Sequence, residues 1–324
     1  MFFDDFRSPK PAGDDMTRVV SLLPAATEIV TLLDYEVGLV GRSHECDWPP
    51  PVKSLPPLTT SHIDSLASSS DIDQAVKTSA INSLFQLDEK LLSKIQPDLI
   101  LTQSACDVCA LDTNTVLAAA ARISLSEGRH PEVLALAPQN ISNLFDDIHA
   151  VASKIDREQQ AVVAVNELKR RCQAITSATE QKSKQDRPNI ALIEWLDPPM
   201  SAGNWVPEMI HMAGATDALG ADAGKSHWIE WKDVAAADPD VVILIPCGFE
   251  LERVLTEAKT PAVWPHLKDL RATREGKLFG VDGHHLFNRP GPRLVDSLEV
   301  LAELLYPESF QFEATARFAK RIDA

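Results

Sequence analysis

The stretch QPDLIL at residues 96–101 returns in altered form as DPDVVI at residues 238–243. In both copies a helical pattern stops before a proline, because proline disfavours helical geometry in the residue ahead of it. A short apolar run follows, which is typical of a strand buried inside a parallel sheet. The repeat therefore predicts two lobes, each built on strands that alternate with helices.

The two lobes are also predicted to begin alike. VVSLL at residues 19–23 ends at a proline and is followed by apolar residues at helical spacing. NIALI at residues 189–193 is followed by a loop and a second helical pattern. The order of strand, turn and helix is typical of Rossmann-like units. We therefore predict an α/β fold with two Rossmann-like, parallel-sheet lobes.

The segment between the lobes is predicted to be helical. Apolar residues repeat every three, four or seven positions from Ile141 to Ile175, and residues 140–184 contain no proline or glycine. This pattern predicts one bridging helix of about 40 residues, roughly 60 Å long. The alternative is two stacked helices with a bend at residues 156–158. The predicted organisation is a flexible tail at 1–16, an N-terminal lobe at 17–138, the bridging helix at 139–184 and a C-terminal lobe at 185–324.

The composition limits the classes of partner. The 324 residues carry 31 Lys and Arg against 47 Asp and Glu, a formal net charge of −16. Such a chain repels phosphate backbones, so we expect no nucleic-acid partner. No run of about 18 apolar residues occurs, and the first residues lack the basic start and apolar run of a signal peptide. We therefore expect no membrane insertion and a cytoplasmic protein whose cysteines stay reduced.

The segments that follow the predicted strands form the candidate site, because parallel α/β proteins bind ligands at the carboxyl ends of their strands. These segments are rich in Trp and Phe, which favours a large, flat ligand. The adjacent pair His284–His285 is interpreted as solvated or structural rather than ligating. The candidate ligand-binding residues are Glu28, His44, Cys46, Trp48 and Gln103 in the N-terminal lobe, and Glu194, Trp195, Trp205, His227, Phe249, Asn288 and Arg289 in the C-terminal lobe.

Four of the five cysteines also follow predicted strands, namely Cys46, Cys106, Cys109 and Cys247. The fifth, Cys172, lies on the apolar stripe of the predicted helix and is interpreted as a small core residue. The four could be packing residues, ligands of a soft metal such as zinc, or nucleophiles. The hypothesis that unites them is a cysteine-lined cleft.

The chain resembles the Fe/B12 substrate-binding family, in particular the vitamin B12-binding proteins of ABC importers. The resemblance covers about residues 17–307 and rests on RVVSLLPAATEIVTLL, LVGRSHECDWPP, LLSKIQPDLILTQ, IALIEWLDPPMSAGNWVPEMIHMAGA, VAAADPDVVILIPCG and FNRPGPRLVDSLEVLAELL. It implies a helical-backbone fold of two α/β lobes joined by a rigid helix, with the ligand held between them. Cobalamin or another corrinoid is the ligand that it implies.

The sequence differs from the transport members of that family in three respects. It lacks their export signal, and it carries SHECDWP and CDVC, as does a soluble, cobalamin-binding-like branch. Importer members present an acidic residue seven positions before the proline of each Pro-Asp strand, where this chain has Lys90 and Lys232. A positive residue at both positions would oppose docking on an ABC permease.

The sequence supports two functions, and it least favours a third, a true importer component, because of the missing export signal and of Lys90 and Lys232. The first is a cytosolic binding protein that holds a corrinoid or a similar large small-molecule ligand between its lobes. The alternative is a thiol- or metal-dependent enzyme on the same fold, which would use Cys46, Cys106, Cys109 and Cys247. The residues specify no reaction for that enzyme, so the binding role is the favoured hypothesis.

Overall fold

The chain forms two compact units in the computed structural model, which describes residues 16–78, 85–104, 113–127, 130–181, 183–220 and 224–323. Unit 1 contains the chain up to Asp64 together with Thr78–Pro138 and Ser142–Val165. Unit 2 contains Ser65–Lys77, Gln139–Ile141 and Asn166–Ala324. The predicted α/β class is confirmed, since each unit is built on its own sheet with flanking helices.

The strands and helices of the described residues alternate along most of the chain. The strands are β1 (Val19–Ser21), β2 (Leu39–Arg42), β3 (Thr59–Ser61), β4 (Phe85–Leu87), β5 (Leu99–Gln103), β6 (Glu132–Leu136), β7 (Asn189–Leu196), β8 (Pro199–Ser201), β9 (Thr216–Asp217), β10 (His227–Trp228), β11 (Val241–Leu244), β12 (Leu278–Val281) and β13 (Ala319–Arg321). The helices are α1 (Pro24–Leu32), α2 (Ser69–Thr78), α3 (Glu89–Ile95), α4 (Thr113–Glu127), α5 (Ile141–Lys154), α6 (Glu158–Thr179), α7 (Val206–Met212), α8 (Trp231–Ala237), α9 (Leu251–Ala258), α10 (Trp264–Leu267), α11 (Arg271–Arg274), α12 (Leu294–Leu305) and α13 (Glu313–Phe318). None of these helices combines the length and the apolar content needed to cross a bilayer.

The sheet of unit 1 is parallel, with strand order β2-β1-β5-β6, and β3 and β4 form a separate antiparallel pair. Val19 pairs with Leu99 in this sheet, and both side chains are buried. Central parallel strands are covered on both faces, which explains why β1 and β5 each begin with consecutive apolar residues.

The sheet of unit 2 is parallel at its centre and antiparallel at its edges. The strand order is β10-β8-β7-β11-β12-β13, with β7, β11 and β12 parallel to one another. Strands β8, β10 and β13 run antiparallel to their neighbours. Only Asp197 and Pro198 separate β7 from β8, a connection too short for a parallel crossover. The sequence predicted the parallel centre and missed the antiparallel edges.

The Pro-Asp repeat has the same structural role in both units. Gln96 and Asp238, the residues before the two prolines, end α3 and α8 in the left-handed conformation, with φ of 51° and 42°. The aspartates that follow then bind the start of the first strand of their unit. Asp98 Oδ2 accepts from the Arg18 N–H at 2.9 Å, and Asp240 Oδ2 accepts from the Asn189 N–H at 2.7 Å. Each repeat thus ends a helix and fixes two adjacent strands.

The single bridging helix is a wrong prediction, because α5 and α6 are separated by residues 155–157. Asp156 lies in the left-handed region with φ 54°, a conformation that ends a helix and that Asp tolerates better than most residues. The break also changes which residues face inward. Val162, which a continuous stripe would bury, is 50% exposed, whereas Ala161 and Val165 are buried. Two helices separated at this point, as in the alternative, are observed.

We predict that Asp156→Val lowers the free energy of unfolding by about 1–2 kcal/mol, because a β-branched residue is strained at φ 54°. Asp156→Asn should leave it nearly unchanged, since Asn also accepts the left-handed region. Urea unfolding followed by circular dichroism measures both. Equal stability of the Val and Asn variants would show that the helix continues through Asp156.

Candidate functional site

The candidate site lies where three neighbouring parallel strands of unit 2 end. Strands β7, β11 and β12 share one direction, so their carboxyl ends lie along one edge of the sheet. We call this the unit 2 edge and define it as Glu194–Trp195, Pro246–Phe249 and Asp282–Arg289. Each of these segments contains polar or aromatic side chains at its strand end.

The turn after β12 is organised by the carboxylate of Asp282, which is 5% exposed. Asp282 Oδ1 accepts hydrogen bonds from the backbone N–H groups of His284, at 3.1 Å, and His285, at 2.7 Å. Both carboxylate oxygens also lie 3.1 Å from His285 Nδ1. One buried carboxylate thereby fixes the turn and the orientation of an imidazole ring.

The same contacts determine the acidity of Asp282. Burial disfavours the charged carboxylate, but the hydrogen bonds from the ring and the backbone N–H of His285 outweigh it. The pKa of Asp282 therefore lies below its usual value. Asp282 is therefore an anion at neutral pH.

Both histidines of the turn are assigned the neutral tautomer that carries its proton on Nδ1. An ionised Asp282 only accepts hydrogen bonds, so His285 Nδ1 carries the proton and His285 Nε2 is the unprotonated nitrogen. Arg289 Nη2 lies 2.7 Å from His284 Nε2, and because arginine only donates, that nitrogen is the acceptor. The rings meet edge to face with centroids 4.7 Å apart. A neutral imidazole whose Nε2 is unprotonated, as assigned to His285, is the form that coordinates metals.

Gly283 allows the turn after β12 to pass close to the turn after β11. A Cβ atom at this position would lie 2.1 Å from the carbonyl oxygen of Pro246, which is backbone and cannot swing aside. Instead, the Gly283 N–H donates to the Phe249 carbonyl at 2.9 Å. The Asn288 side chain joins the same two turns by donating to the carbonyls of Ile245 and Gly283, at 2.8 and 3.0 Å. Asn288, a predicted ligand residue, thus supports the backbone of the site.

The aromatic candidates of unit 2 differ in accessibility. Trp205 is 7% exposed and donates its indole N–H to the Phe287 carbonyl at 2.6 Å, and Phe249 is 1% exposed. Trp195 is half-buried and meets Phe249 in a T-shaped contact with centroids 5.3 Å apart. Trp195 is therefore the aromatic candidate at this edge with an accessible surface.

Two polar candidates of unit 2 lie on the neighbouring strands. Glu194 Oε2 accepts from the Ser226 hydroxyl at 2.9 Å, which holds the carboxylate at the end of β7. His227 is half-buried in β10, opposite Ser201 of β8. His227 thus lies two strands away from β7 in the sheet.

The candidates of unit 1 lie mainly in one tightly bonded loop after β2. The Arg42 guanidinium donates to the carbonyls of Ser43, His44, Lys53 and Leu55. His44 Nδ1 lies 2.6 Å from the Thr59 hydroxyl, and His44 Nε2 lies 3.1 Å from Glu45 Oε1. Trp48 is half-buried in the same loop, Gln103 is half-buried at the end of β5, and Glu28 is 4% exposed in α1.

The structure does not support a cysteine-lined cleft among the described residues. The Cys46 thiol is fully buried in unit 1 and lies 3.0 Å from the Thr27 hydroxyl, which donates to it. Cys172 is buried in α6, as predicted, and burial raises the pKa of its thiol to about 11. Cys247 is half-buried at the unit 2 edge. Cys106 and Cys109 lie outside the described residues.

Residues 19–283 match a family model described as periplasmic binding protein. The chain belongs to the periplasmic binding protein family. It is 22% identical over 296 residues to an uncharacterized ABC transporter substrate-binding lipoprotein of Bacillus subtilis (strain 168), and the match covers 91% of this chain and 81% of the relative.

Solved structures of similar fold include a heme binding protein and a vitamin B12 binding protein. A periplasmic heme binding protein from Pseudomonas aeruginosa has a TM-score of 0.71 at 20% identity, covering 95% of this chain and 99% of the other. The periplasmic vitamin B12 binding protein of Vibrio cholerae has a TM-score of 0.65 at 15% identity, covering 91% and 99%. These likenesses show the fold, and the predicted resemblance to the Fe/B12 type is confirmed.

The expected cytoplasmic location is wrong. That expectation rested on the first residues of the sequence, whereas the relatives are a lipoprotein and periplasmic binding proteins. The start of a given sequence does not establish where a protein acts. Family membership indicates that the protein binds a ligand, and it gives no support to a cytoplasmic location.

The residues that sequence reasoning missed are Asp282, His284 and His285. The signal was present, because an Asp-Gly turn directly followed the predicted strand at residues 278–281 and placed two histidines at its carboxyl end. The histidine pair was interpreted as structural because spacing alone does not show which carboxylate holds a ring. The contact with Asp282 supplies that information.

We predict that Gly283→Ala lowers the free energy of unfolding by about 2 kcal/mol or more, because its methyl group would overlap the Pro246 carbonyl. Gly220→Ala is the control. Gly220 has φ +58° with no atom within 4 Å of an added Cβ, so only backbone strain of about 1 kcal/mol applies. Chemical unfolding compares the two. Equal losses would contradict the close approach of the two turns.

A second prediction concerns how the free energy of unfolding depends on pH. The pKa of Asp282 is lower in the folded protein, so its stabilisation is present above the unfolded carboxyl pKa of about 3.9 and disappears as pH falls through the folded value. Asp282→Asn should therefore be less stable than wild type at pH 5, and the difference should shrink below about pH 4. Asp269→Asn, at an exposed aspartate, should show no such convergence. A difference independent of pH would contradict the assigned anion.

Proposed function

We propose that this protein is the substrate-binding component of an ABC importer, acts outside the cytoplasm, and carries a metal-centred tetrapyrrole such as a corrinoid or heme. Family membership supports the binding role. Relatives described as a substrate-binding lipoprotein, a heme binding protein and a vitamin B12 binding protein support the importer setting and the ligand class. The observation that carries the proposal is the Asp282–His285 pair at the unit 2 edge.

The imidazole of His285, oriented by Asp282, has the chemistry of an axial metal ligand. A carboxylate that accepts a hydrogen bond from Nδ1–H fixes the ring and raises the basicity of the opposite nitrogen, as is common for imidazoles that bind metals in proteins. His285 Nε2 would coordinate the central iron or cobalt of the cargo. Imidazole nitrogen suits such transition metals, and a histidine holds heme iron in many proteins.

Two further groups of the unit 2 edge suit the rest of such a cargo. Trp195 is half-buried and offers an aromatic surface to the apolar part of a flat ring. Arg289, which is 7% exposed, directs a guanidinium group into the turn, where positive charge favours the carboxylate or phosphate groups of tetrapyrroles. The metal of the cargo would contact His285, its flat ring would contact Trp195, and its acidic groups would face Arg289.

The lysines at the two docking positions do not make those surfaces uniformly positive. Lys232 Nζ lies 2.6 Å from Glu230 Oε2, and this hydrogen bond raises the pKa of the lysine. The exposed Lys90 follows Glu89 directly in α3. The argument from charge against a permease partner is therefore weak, and a relative that serves an ABC transporter favours docking.

We predict that the purified protein binds hydroxocobalamin or hemin, and that His285→Ala weakens binding of the preferred one about tenfold or more, since it removes the proposed metal ligand. His211→Ala, at an exposed histidine of α7, is the matched control and should bind as wild type does. Absorbance titration and calorimetry provide the affinities, and the two ligands distinguish cobalt from iron cargo. Wild-type affinity in His285→Ala, or no binding of either compound, would overturn the proposal.

A further inference from the structure

A segment distant in sequence from the rest of unit 2 covers part of the unit 2 edge. Residues Ser65–Lys77, which we call the strap, consist of a short approach and most of α2, and they belong to unit 2. The rest of unit 2 begins more than 60 residues later in the chain. The strap is thus an addition to a unit whose sheet is formed entirely by later residues.

The strap is held at its start by two residues of α9. Arg253 donates to the carbonyls of Ser65 and Ala67, and Glu257 Oε1 accepts from the backbone N–H of Ser69, at 3.0 Å, and from its hydroxyl. Arg253 and Glu257 are four residues apart and share one face of α9. Together they hydrogen-bond to the chain immediately before α2 and in its first turn.

The strap also contacts the aromatic part of the unit 2 edge. The Ser69 carbonyl accepts the indole N–H of Trp195 at 3.2 Å, and Ile72 packs on the core cluster that contains Phe249. The Arg253 guanidinium also lies 3.4 Å from the centroid of the Phe249 ring. The strap therefore contacts Trp195, the half-buried aromatic residue proposed to meet the cargo, at its indole N–H.

Little apolar burial holds the strap in place. Ser69 is its one buried residue, and Ala67, Ile72, Asp73 and Val76 are half-buried, while Leu66 is 86% exposed. At the far end Lys77 Nζ lies 5.0 Å from the centroid of Trp228, a ring that is itself 49% exposed. A segment held mainly by partly exposed hydrogen bonds opens more readily than a packed core element.

We propose that the strap is a releasable cover of the unit 2 edge, and that Arg253 and Glu257 are positioning residues that determine how often it opens. Opening frees the Trp195 indole from the Ser69 carbonyl and exposes its face. The consequence for ligand access rests on the proposed function, whereas the opening itself does not. Cargo then meets a Trp195 ring free of the Ser69 contact in the fraction of molecules whose strap is released.

Hydrogen–deuterium exchange of the full chain tests the opening. Glu257→Gln weakens two hydrogen bonds to a charged acceptor, so amide exchange in residues 70–77 should rise about tenfold while β7 and β11 keep their wild-type rates. Glu252→Gln removes an exposed carboxylate from the same helix and should change neither. Unchanged exchange in Glu257→Gln, or an equal rise throughout unit 2, would overturn the proposal by showing that the strap is an integral part of the core.

A second measurement uses Arg253→Lys, which keeps the charge but loses the forked donor to two carbonyls. This variant should also raise strap exchange, and both variants should raise the association rate of hydroxocobalamin or hemin several-fold in stopped-flow absorbance. Faster strap exchange with an unchanged association rate would overturn the gating role. Absence of binding by the wild type would instead count against the proposed function, and the exchange result would still decide whether the strap opens.

Discussion

The carboxylate of Asp282 accepts hydrogen bonds from two backbone N–H groups and from the His285 ring, and the candidate site depends on this one buried anion. Without it the backbone N–H groups of His284 and His285 would lose their carboxylate acceptor, and the His285 ring would lose the group that orients it. The position of Asp282 follows from the sheet, because parallel neighbours β11 and β12 bring their ends together. Gly283 then lets the two turns touch.

The paired Pro-Asp segments show what the sequence predicts well. Each proline ends a helix, each aspartate binds the first strand of its unit, and each apolar run is a buried strand, so local chemistry and global fold agree. The helix break at Asp156 was not predictable in the same way. Apolar spacing continues on both sides of it, and one left-handed residue changes the direction and phase of the buried stripe without altering the pattern.

The site was predicted less completely than the fold because ligand chemistry depends on side-chain partners. Strand ends identified the right loops, yet Trp205 and Asn288 are engaged with backbone carbonyls, and Cys46 is enclosed in unit 1. Spacing could not reveal that Asp282 orients His285. Nor could it reveal that residues 65–77 return to unit 2 and hydrogen-bond to Trp195, a contact between positions more than a hundred residues apart.

In the proposed function, His285 would present Nε2 to the metal of the cargo while Asp282 accepts the hydrogen bond from Nδ1–H. Long-range ¹H–¹⁵N correlation spectra of histidine-labelled protein, recorded before and after addition of diamagnetic hydroxocobalamin, observe both nitrogens directly. The account predicts an Nδ1-protonated ring for His285 in the free protein and a large shift of its Nε2 signal on binding. Binding that leaves the His285 signals unchanged, or a ring protonated at Nε2 in the free protein, would contradict it.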